Sequence, residues 1–245
     1  MRNMQSLDRA LLVLSRFDAT HGSVGVSELA AELGLHKSTV SRMLSALERR
    51  GFVRREGDRF VPGFELVRLG RLADPVEVLA EAAAVPMRRL AAATAETINL
   101  GVRDGDAVLH VRQIQSPHFV GIGDWTGRAT PLHATSTGKV LLAFGSDGPP
   151  RTLPAVTPRT ITSRTALARE LEAVRTNGYA TTREELEAGV CAAAAPVFDP
   201  SGACVAAVSA AGPCFRVSSL LPAFGERCRT AAAEISAALG RREAA

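Results

Sequence analysis

Hydroxyl and guanidinium side chains recur at helical spacing in one short segment of the chain, from Lys37 to Arg50. Its polar face and the flanks of that face carry Lys37, Ser38, Thr39, Ser41, Arg42, Ser45 and Arg49. Short hydroxyls permit close approach to a base pair, and an arginine can donate two hydrogen bonds to a guanine edge. The residue types therefore suit the reading of bases in a major groove.

The opposite face of the same segment is apolar. Val40, Leu44 and Leu47 follow one another at helical spacing, and Met43 flanks them. This periodicity predicts a helix that buries one stripe and exposes the other. Gly51 is expected to close it.

A second predicted helix precedes this one, with a tight break between them. Ser27 is the expected N-cap of a helix over 28–33, and Gly34 is expected to stop it. A first helix is predicted from Ser6 to about His21, with a short extended piece at 24–26. Two helices joined by a glycine-containing turn indicate a helix-turn-helix.

A basic hairpin is predicted directly after the second of these helices. Residues 52–55 and 59–61 read as strands, with the turn at Gly57-Asp58. Such a wing is placed to contact phosphate or the minor groove through Arg54, Arg55 and Arg59.

The positive charge is confined to this part of the chain. The net charge is +4, and residues 1–73 hold 12 Lys and Arg against 8 Asp and Glu, whereas the remainder holds 17 of each. This asymmetry is typical of a polyanion-binding module attached to a neutral one. Taken alone, the charge run also fits a solvated basic face.

Composition limits the class of protein. Of the 245 residues, 46% are hydrophobic and 22% charged, which is enough to bury a core. No apolar run approaches the ~20 residues that span a bilayer, so we expect a soluble, cytoplasmic protein without a membrane partner. Four cysteines without a CxxC pair favour buried thiols in a reducing compartment over a disulfide framework or a zinc site.

The rest of the chain reads as strands arriving in hairpins with helices between them, which predicts an α+β domain. A helix over 64–73 ends at Asp74-Pro75, and an Ala-rich helix over 76–95 is expected to bend or restart at Pro86. The predicted domains are a winged helix-turn-helix at 1–64, linker helices at 65–95 and an effector-binding and oligomerisation domain at 96–245.

Catalytic and metal-binding patterns are incomplete. Residues 121–127 miss the GxGxxG spacing by one position, residues 137–139 lack the upstream P-loop glycine, and there is no GxSxG elbow. The histidines at 110, 118 and 133 are scattered and read as core or surface residues. We therefore predict no catalytic residue, no metal and no cofactor.

One loop suits an anionic ligand instead. Residues 131–143 place small polar residues directly before a helix, where free backbone N–H groups and the helix dipole favour an anion. Ser136 and Thr137 would contact it. An ordinary capped helix is the alternative.

The segments 5–14, 27–44 and 47–53 together resemble the winged helix-turn-helix of IclR-type bacterial transcription regulators, and the resemblance extends along the chain. It implies a C-terminal GAF-like mixed α/β effector-binding domain and assembly as homodimers or dimers of dimers. It also implies an effector pocket formed by Ser136, Thr137, Thr182, Ala192, Ser209 and Ala211.

This chain departs from the family's pocket at three of these positions. The family often has Asp at Thr182, Cys or Ser at Ala192, and a second serine at Ala211. An unpaired polar ligand group in a dry pocket costs about 1–3 kcal/mol. We therefore expect an effector with an apolar or aromatic body and one carboxylate, and not a small hydroxylated acid such as glyoxylate.

These observations predict a sequence-specific DNA-binding transcription regulator, not an enzyme, whose operator affinity a small carboxylate-bearing metabolite controls. A dimer would bind half-sites about 34 Å apart or a multiple of that distance. A small-molecule enzyme with a basic surface and a protein-interaction module are the alternatives. RNA binding is less favoured because few aromatic residues are present for base stacking.

Overall fold

The computed structural model describes residues 4–17, 22–72 and 74–240. The chain divides between Asp74 and Pro75 into two compact units. The predicted linker helices at 65–95 are thus shared between the units, and their role as a linker stays a prediction.

The first unit is a winged helix-turn-helix, as predicted. Within its described residues, three antiparallel strands pair in the order β1-β3-β2. The elements are α1 (Met4–Leu14), β1 (Val24–Gly25), α2 (Val26–Glu32), α3 (Lys37–Arg49), β2 (Val53–Glu56), β3 (Arg59–Pro62) and α4 (Phe64–Gly70). The wing turns at Gly57, whose φ of 64° lies in the left-handed region that glycine adopts at little cost.

The start of α2 differs from the prediction. Ser27 was expected to cap this helix, but the helix begins one residue earlier and Gly25 is the N-cap. The Gly25 N–H donates to Glu28 Oε2 at 3.2 Å, so the glutamate side chain does the capping that the serine was assigned. The predicted continuation of the first helix to His21 includes residues 18–21, which lie outside the described residues.

The core of the first unit fixes which face of α3 points outward. Val40 and Leu44 of α3 are fully buried, together with Leu29 of α2 and Phe60 of the wing. Burial of that stripe leaves the polar face of α3 turned toward solvent.

The second unit is an α+β domain, as predicted. Within residues 75–240, six antiparallel strands form one sheet in the order β6-β5-β4-β9-β8-β7. The strands are β4 (Thr97–Asp104), β5 (Ala107–Ile114), β6 (Ala129–Pro131), β7 (Ala180–Arg183), β8 (Val190–Phe198) and β9 (Cys204–Pro213). The helices are α5 (Pro75–Thr94), α6 (Ser136–Phe144), α7 (Arg164–Asn177), α8 (Cys214–Val217) and α9 (Leu221–Ala238).

Helices cover both faces of this sheet. Ile98, Val208 and Ala193 face α5 and α9, whereas their alternating neighbours Ala207 and Ala194 face α6 and α7. A strand that is buried on both faces reads as a continuous apolar run, which explains the Ala-rich sequences of β8 and β9.

The helix α5 runs through Pro86 as one element and does not restart there. Of the helices in the described ranges, none combines the length and the apolar character needed to cross a bilayer.

The prediction of four unpaired cysteines is wrong, because Cys191 and Cys214 form a disulfide. The two residues are 23 positions apart, but Cys191 pairs across the β8–β9 ladder with Gly212. This register brings the Cys191 and Cys214 Cα atoms to 5.0 Å, within the usual range for a disulfide. Strand register decides this pairing, and cysteine spacing alone does not reveal it.

We expect thiol titration to count two thiols, not four, in the non-reduced protein after unfolding in denaturant. Cys204 and Cys228 are the free cysteines of the described residues, and burial raises the pKa of each thiol to about 12. Both should therefore react slowly with a disulfide reagent before unfolding, because the thiolate is the nucleophile. Four thiols in the unfolded, non-reduced protein would contradict the disulfide.

Candidate functional site

The polar face of α3 is accessible in the structure. Lys37, Ser38, Arg42 and Arg49 are exposed, and the hydroxyl residues Thr39, Ser41 and Ser45 are partly exposed. None of the predicted base-reading side chains is buried. The prediction that this face can reach a nucleic acid therefore meets no steric obstacle within the first unit.

Several cations of α3 and the wing are not neutralised within the unit. Lys37, Arg42, Arg49 and Arg55 make no ion pair with any residue in the described part of the chain. An exposed cation without a protein partner is available to a phosphate or a base edge.

The three arginines of the wing differ in what holds them. Arg54 pairs with Glu56, whereas the Arg55 guanidinium lies 4.8 Å from the centre of the Phe60 ring. Arg59 is held inside the unit. Its guanidinium donates to Glu28 Oε2 at 2.7 Å, to Ser23 Oγ at 2.8 Å and to the Ser23 carbonyl oxygen at 2.7 Å. Arg59 thus ties the wing to α2, a role that sequence reasoning missed.

A cavity of about 160 Å³ lies in the second unit between the sheet and the start of α6. All of the positions that the resemblance implied, from Ser136 to Ala211, line this one cavity. Its wall comprises Asn99, His110, Gly121, Ile122, Gly123, Trp125, Thr135, Ser136, Thr137, Thr182, Leu186, Glu187, Val190, Ala192, Ser209 and Ala211.

Strand register explains how distant sequence positions meet on the cavity floor. Asn99 of β4 lies opposite Ser209 of β9. Ala211 of β9 lies opposite Ala192 of β8, which in turn lies opposite Thr182 of β7. The floor is therefore polar toward β4 and β5, apolar in its middle and hydroxylated at β7.

The N-terminus of α6 forms the polar wall of the cavity. Thr135 caps the helix, because its Oγ1 accepts a hydrogen bond from the Gly138 N–H at 3.0 Å. Ser136 and Thr137 begin the helix, and the first N–H groups of a helix have no partner within it. These amides and the positive end of the helix dipole provide a place for an anionic group.

Behind this wall, α6 carries a fully buried lysine. Lys139 is 0% exposed, and its Nζ donates to Glu185 Oε1 at 2.8 Å, to Glu170 Oε1 at 2.9 Å and to the Thr181 carbonyl oxygen at 3.2 Å. Burial raises the pKa of Glu185, although the Lys139 ammonium opposes that shift. The lysine thereby fixes the strand and loop that carry Thr182 and Leu186 against α6.

Two polar residues of the cavity escaped sequence reasoning. Asn99 is 3% exposed and His110 7% exposed, on neighbouring strands of the floor. The histidine was read as a core or surface residue, and the asparagine drew no attention. An asparagine inside an otherwise apolar strand was the one available signal, since buried polar side chains need partners.

Family comparison agrees with both units. Residues 6–57 match the IclR helix-turn-helix domain, and residues 75–237 match the C-terminal domain of bacterial IclR transcriptional regulators. The regulator KdgR of Escherichia coli is 36% identical over 226 residues, which are 89% of this chain and 86% of KdgR. A winged helix and a separate α+β unit of this kind define a class of DNA-binding transcription regulators.

The chain belongs to the IclR family. An IclR-type regulator from Silicibacter has a TM-score of 0.75 at 26% identity, with 97% of this chain and 96% of that one covered. An IclR homologue of Microbacterium hydrocarbonoxydans, solved with 4-hydroxybenzoate, has a TM-score of 0.62 at 26% identity, with coverage of 96% and 98%. The relatives are regulators and not enzymes, so the predicted class is confirmed.

Proposed function

We propose that a small carboxylate-bearing ligand in the cavity of the second unit controls the affinity of the winged helix for its operator. A ligand changes DNA affinity only through its differential affinity for two arrangements of the DNA-binding heads. The helices of the 64–95 region would couple the two in a homodimer or a dimer of dimers.

The DNA contacts are proposed from the exposure of α3 and the wing. Ser38, Thr39, Ser41 and Arg42 read bases, and Lys37, Ser45 and Arg49 extend the same surface. Arg54 and Arg55 contact the backbone or the minor groove. Arg59 was predicted beside them, but its bonds to Ser23 and Glu28 assign it first to holding the wing.

The start of α6 in the cavity wall carries the proposal of a carboxylate. Among the described residues that line the cavity there is no lysine or arginine, and the only carboxylate is that of Glu187, which is exposed. An anionic group would therefore bind at the amides of Ser136 and Thr137 and away from Glu187.

The rest of the cavity supports an aromatic body. Ala192 and Ala211 leave the middle of the floor apolar, and the Trp125 side chain lines the wall. A cavity of about 150 Å³ accommodates a benzene ring, so about 160 Å³ admits one ring with small substituents. The Microbacterium relative that holds 4-hydroxybenzoate is consistent with a ligand of this class.

Calorimetric titration of the full chain tests the ligand class. The probes are benzoate, its three monohydroxylated isomers and glyoxylate, with the corresponding benzamides as uncharged controls. We expect at least one aromatic acid to bind at least 10-fold more tightly than its amide and to change the affinity for an operator selected from genomic fragments. Tight glyoxylate binding without any response to the aromatic acids would reject the proposal.

Arg55→Ala is expected to lower the slope of log affinity against log salt concentration by about 1, with little change in sequence preference. A phosphate contact releases counterions when it forms, so its loss weakens binding to all sequences similarly. Fluorescence anisotropy at several salt concentrations measures the slope. Arg169→Ala, an exposed arginine of α7, is the control and should leave the slope unchanged.

A further inference from the structure

We infer that the cavity ligand carries a hydroxyl group that hydrogen-bonds to Asn99 and His110 on the β4–β5 side of the floor. This inference rests on the proposed function and specifies the ligand further. Its class is a hydroxylated aromatic acid, recognised at two separate places in the cavity.

The evidence is a pair of buried polar atoms without partners. Asn99 Oδ1 and His110 Nδ1 both belong to cavity-lining residues, and neither has a hydrogen-bond partner among the residues that the structure describes. Most buried polar atoms in proteins are paired, so an unpaired one lining a cavity calls for an explanation. Two such atoms on adjacent strands of one cavity indicate a partner that comes from inside it.

The neighbours of these residues leave the two atoms available. His110 uses its other ring nitrogen, because Nε2 lies 3.2 Å from Thr130 Oγ1. Its ring lies 6.2 Å from the Trp125 ring, centre to centre, at an interplanar angle of 56°. Trp125 is held in turn by its backbone N–H, which donates to Gln113 Oε1 at 3.0 Å. The histidine is thus fixed on one side, and Nδ1 remains for a ligand.

The chemistry of the two atoms selects a hydroxyl. The Asn99 carboxamide oxygen accepts a hydrogen bond and therefore needs a donor. Burial lowers the pKa of His110 to about 4, so the imidazole is neutral at pH 7 and carries one N–H. A hydroxyl group donates and accepts at once, and it can satisfy the asparagine together with either tautomer of the histidine. A carboxylate cannot donate to the asparagine, which keeps the anionic group at α6.

The polar groups of this floor have moved relative to the family pattern that the resemblance implied. Thr182, Ala192 and Ala211 replace more strongly polar residues on β7, β8 and β9, whereas Asn99 and His110 lie on β4 and β5. Adjacent strands are about 4.8 Å apart, so the distance from β8 to β4 is about 10 Å. A single ring spans much of that distance, and its hydroxyl would reach the β4–β5 side.

The test compares ligands that differ only in the hydroxyl. In calorimetry of the full chain at pH 7, we expect one of the monohydroxylated benzoates to bind about 10-fold to 100-fold more tightly than benzoate, because benzoate leaves the buried atoms unpaired. The methyl ether of that isomer, which cannot donate, should lose most of this advantage.

Asn99→Leu and His110→Phe should each reduce the preference for the hydroxyl at least 5-fold, while the affinity for benzoate itself changes little. His118→Phe, at an exposed histidine outside the cavity, is the matched control and should keep the preference. Fluorescence of Trp125 during urea unfolding checks that each variant folds, and the two variants provide independent tests.

Each outcome bears on one of the two proposals. Equal binding of benzoate and the best hydroxybenzoate, or a preference that survives both substitutions, would overturn the hydroxyl inference and leave the proposed function intact. Aromatic acids that bind no better than their amides would overturn the proposed ligand class, and the hydroxyl inference with it.

Discussion

Replacing Lys139 by methionine is expected to destabilise the second unit by about 3–5 kcal/mol, the usual cost of removing one partner of a buried ion pair. The Lys139 ammonium is the cation that Glu185 faces in the buried region, and it also bonds to Glu170 and to the Thr181 carbonyl oxygen. Methionine fills a similar volume, so the loss measures charge and hydrogen bonding more than a cavity. Urea unfolding followed by Trp125, the single tryptophan of the chain, reports on this unit.

The chain supplies a matched control, because Lys37 and Lys139 are its two lysines. Lys37→Met removes the same charge from an exposed position in the first unit and should change the Trp125 transition by less than about 0.5 kcal/mol. Lys139→Met combined with Glu185→Gln should recover part of the loss, since the uncompensated carboxylate is then gone. Equal, small effects of both lysine substitutions would disprove the structural role of Lys139.

The loss caused by Lys139→Met should shrink at acid pH. Burial already raises the pKa of Glu185 above its ordinary 4.5, and loss of the ammonium removes the main opposing influence. A carboxyl whose pKa is higher in the folded state contributes stability below its unfolded pKa and loses it as the pH rises through the folded pKa. The difference between wild type and variant should therefore be smaller at pH 4.5 than at pH 7.5. The buried His110 destabilises both proteins alike at low pH and cancels in this difference.

Arg42→Ala is expected to weaken operator binding by about 1–3 kcal/mol and to relax the preference for a base pair in each half-site. The guanidinium is exposed on the outward face of α3 and makes no ion pair within the described ranges, so little else should change. Anisotropy titrations with the selected operator and with random DNA measure the affinity and the preference separately.

Arg50→Ala is the control for this prediction. Arg50 is an exposed arginine at the end of the same helix but off its base-reading face, so its loss should leave the base preference intact. Equal weakening by Arg42→Ala on operator and random DNA would reassign Arg42 to a phosphate contact. Unchanged binding to both would remove it from the interface.

Local pattern predicted the DNA-binding unit well, with errors confined to single residues. The apolar stripe of Val40 and Leu44 fixed the orientation of α3, because a helix buries its apolar face wherever the rest of the chain lies. The cap of α2 was misassigned because Ser27 and Glu28 are both capping residue types, and only the observed bond from the Gly25 N–H to Glu28 distinguishes them.

The ligand cavity was predicted by resemblance, and periodicity alone would not have found it. Its floor is assembled from β4, β5, β7, β8 and β9, and pairing between strands far apart in sequence depends on register. For the same reason the disulfide between Cys191 and Cys214 and the partners of Lys139 were not foreseen. The functional roles of the cavity and of the α3 residues stay predictions until the experiments above are done.

By itself, the sequence determined a basic winged helix-turn-helix, a neutral α+β unit and the outward face of α3, since these follow from periodicity, turn residues and charge within short segments. The tertiary structure alone decided that Lys139 is buried between two glutamates, that Arg59 ties the wing to α2, and that Asn99 and His110 line one cavity with unpaired atoms. Burial and hydrogen-bond pairing of a side chain depend on neighbours brought from distant parts of the chain, and no local pattern records them.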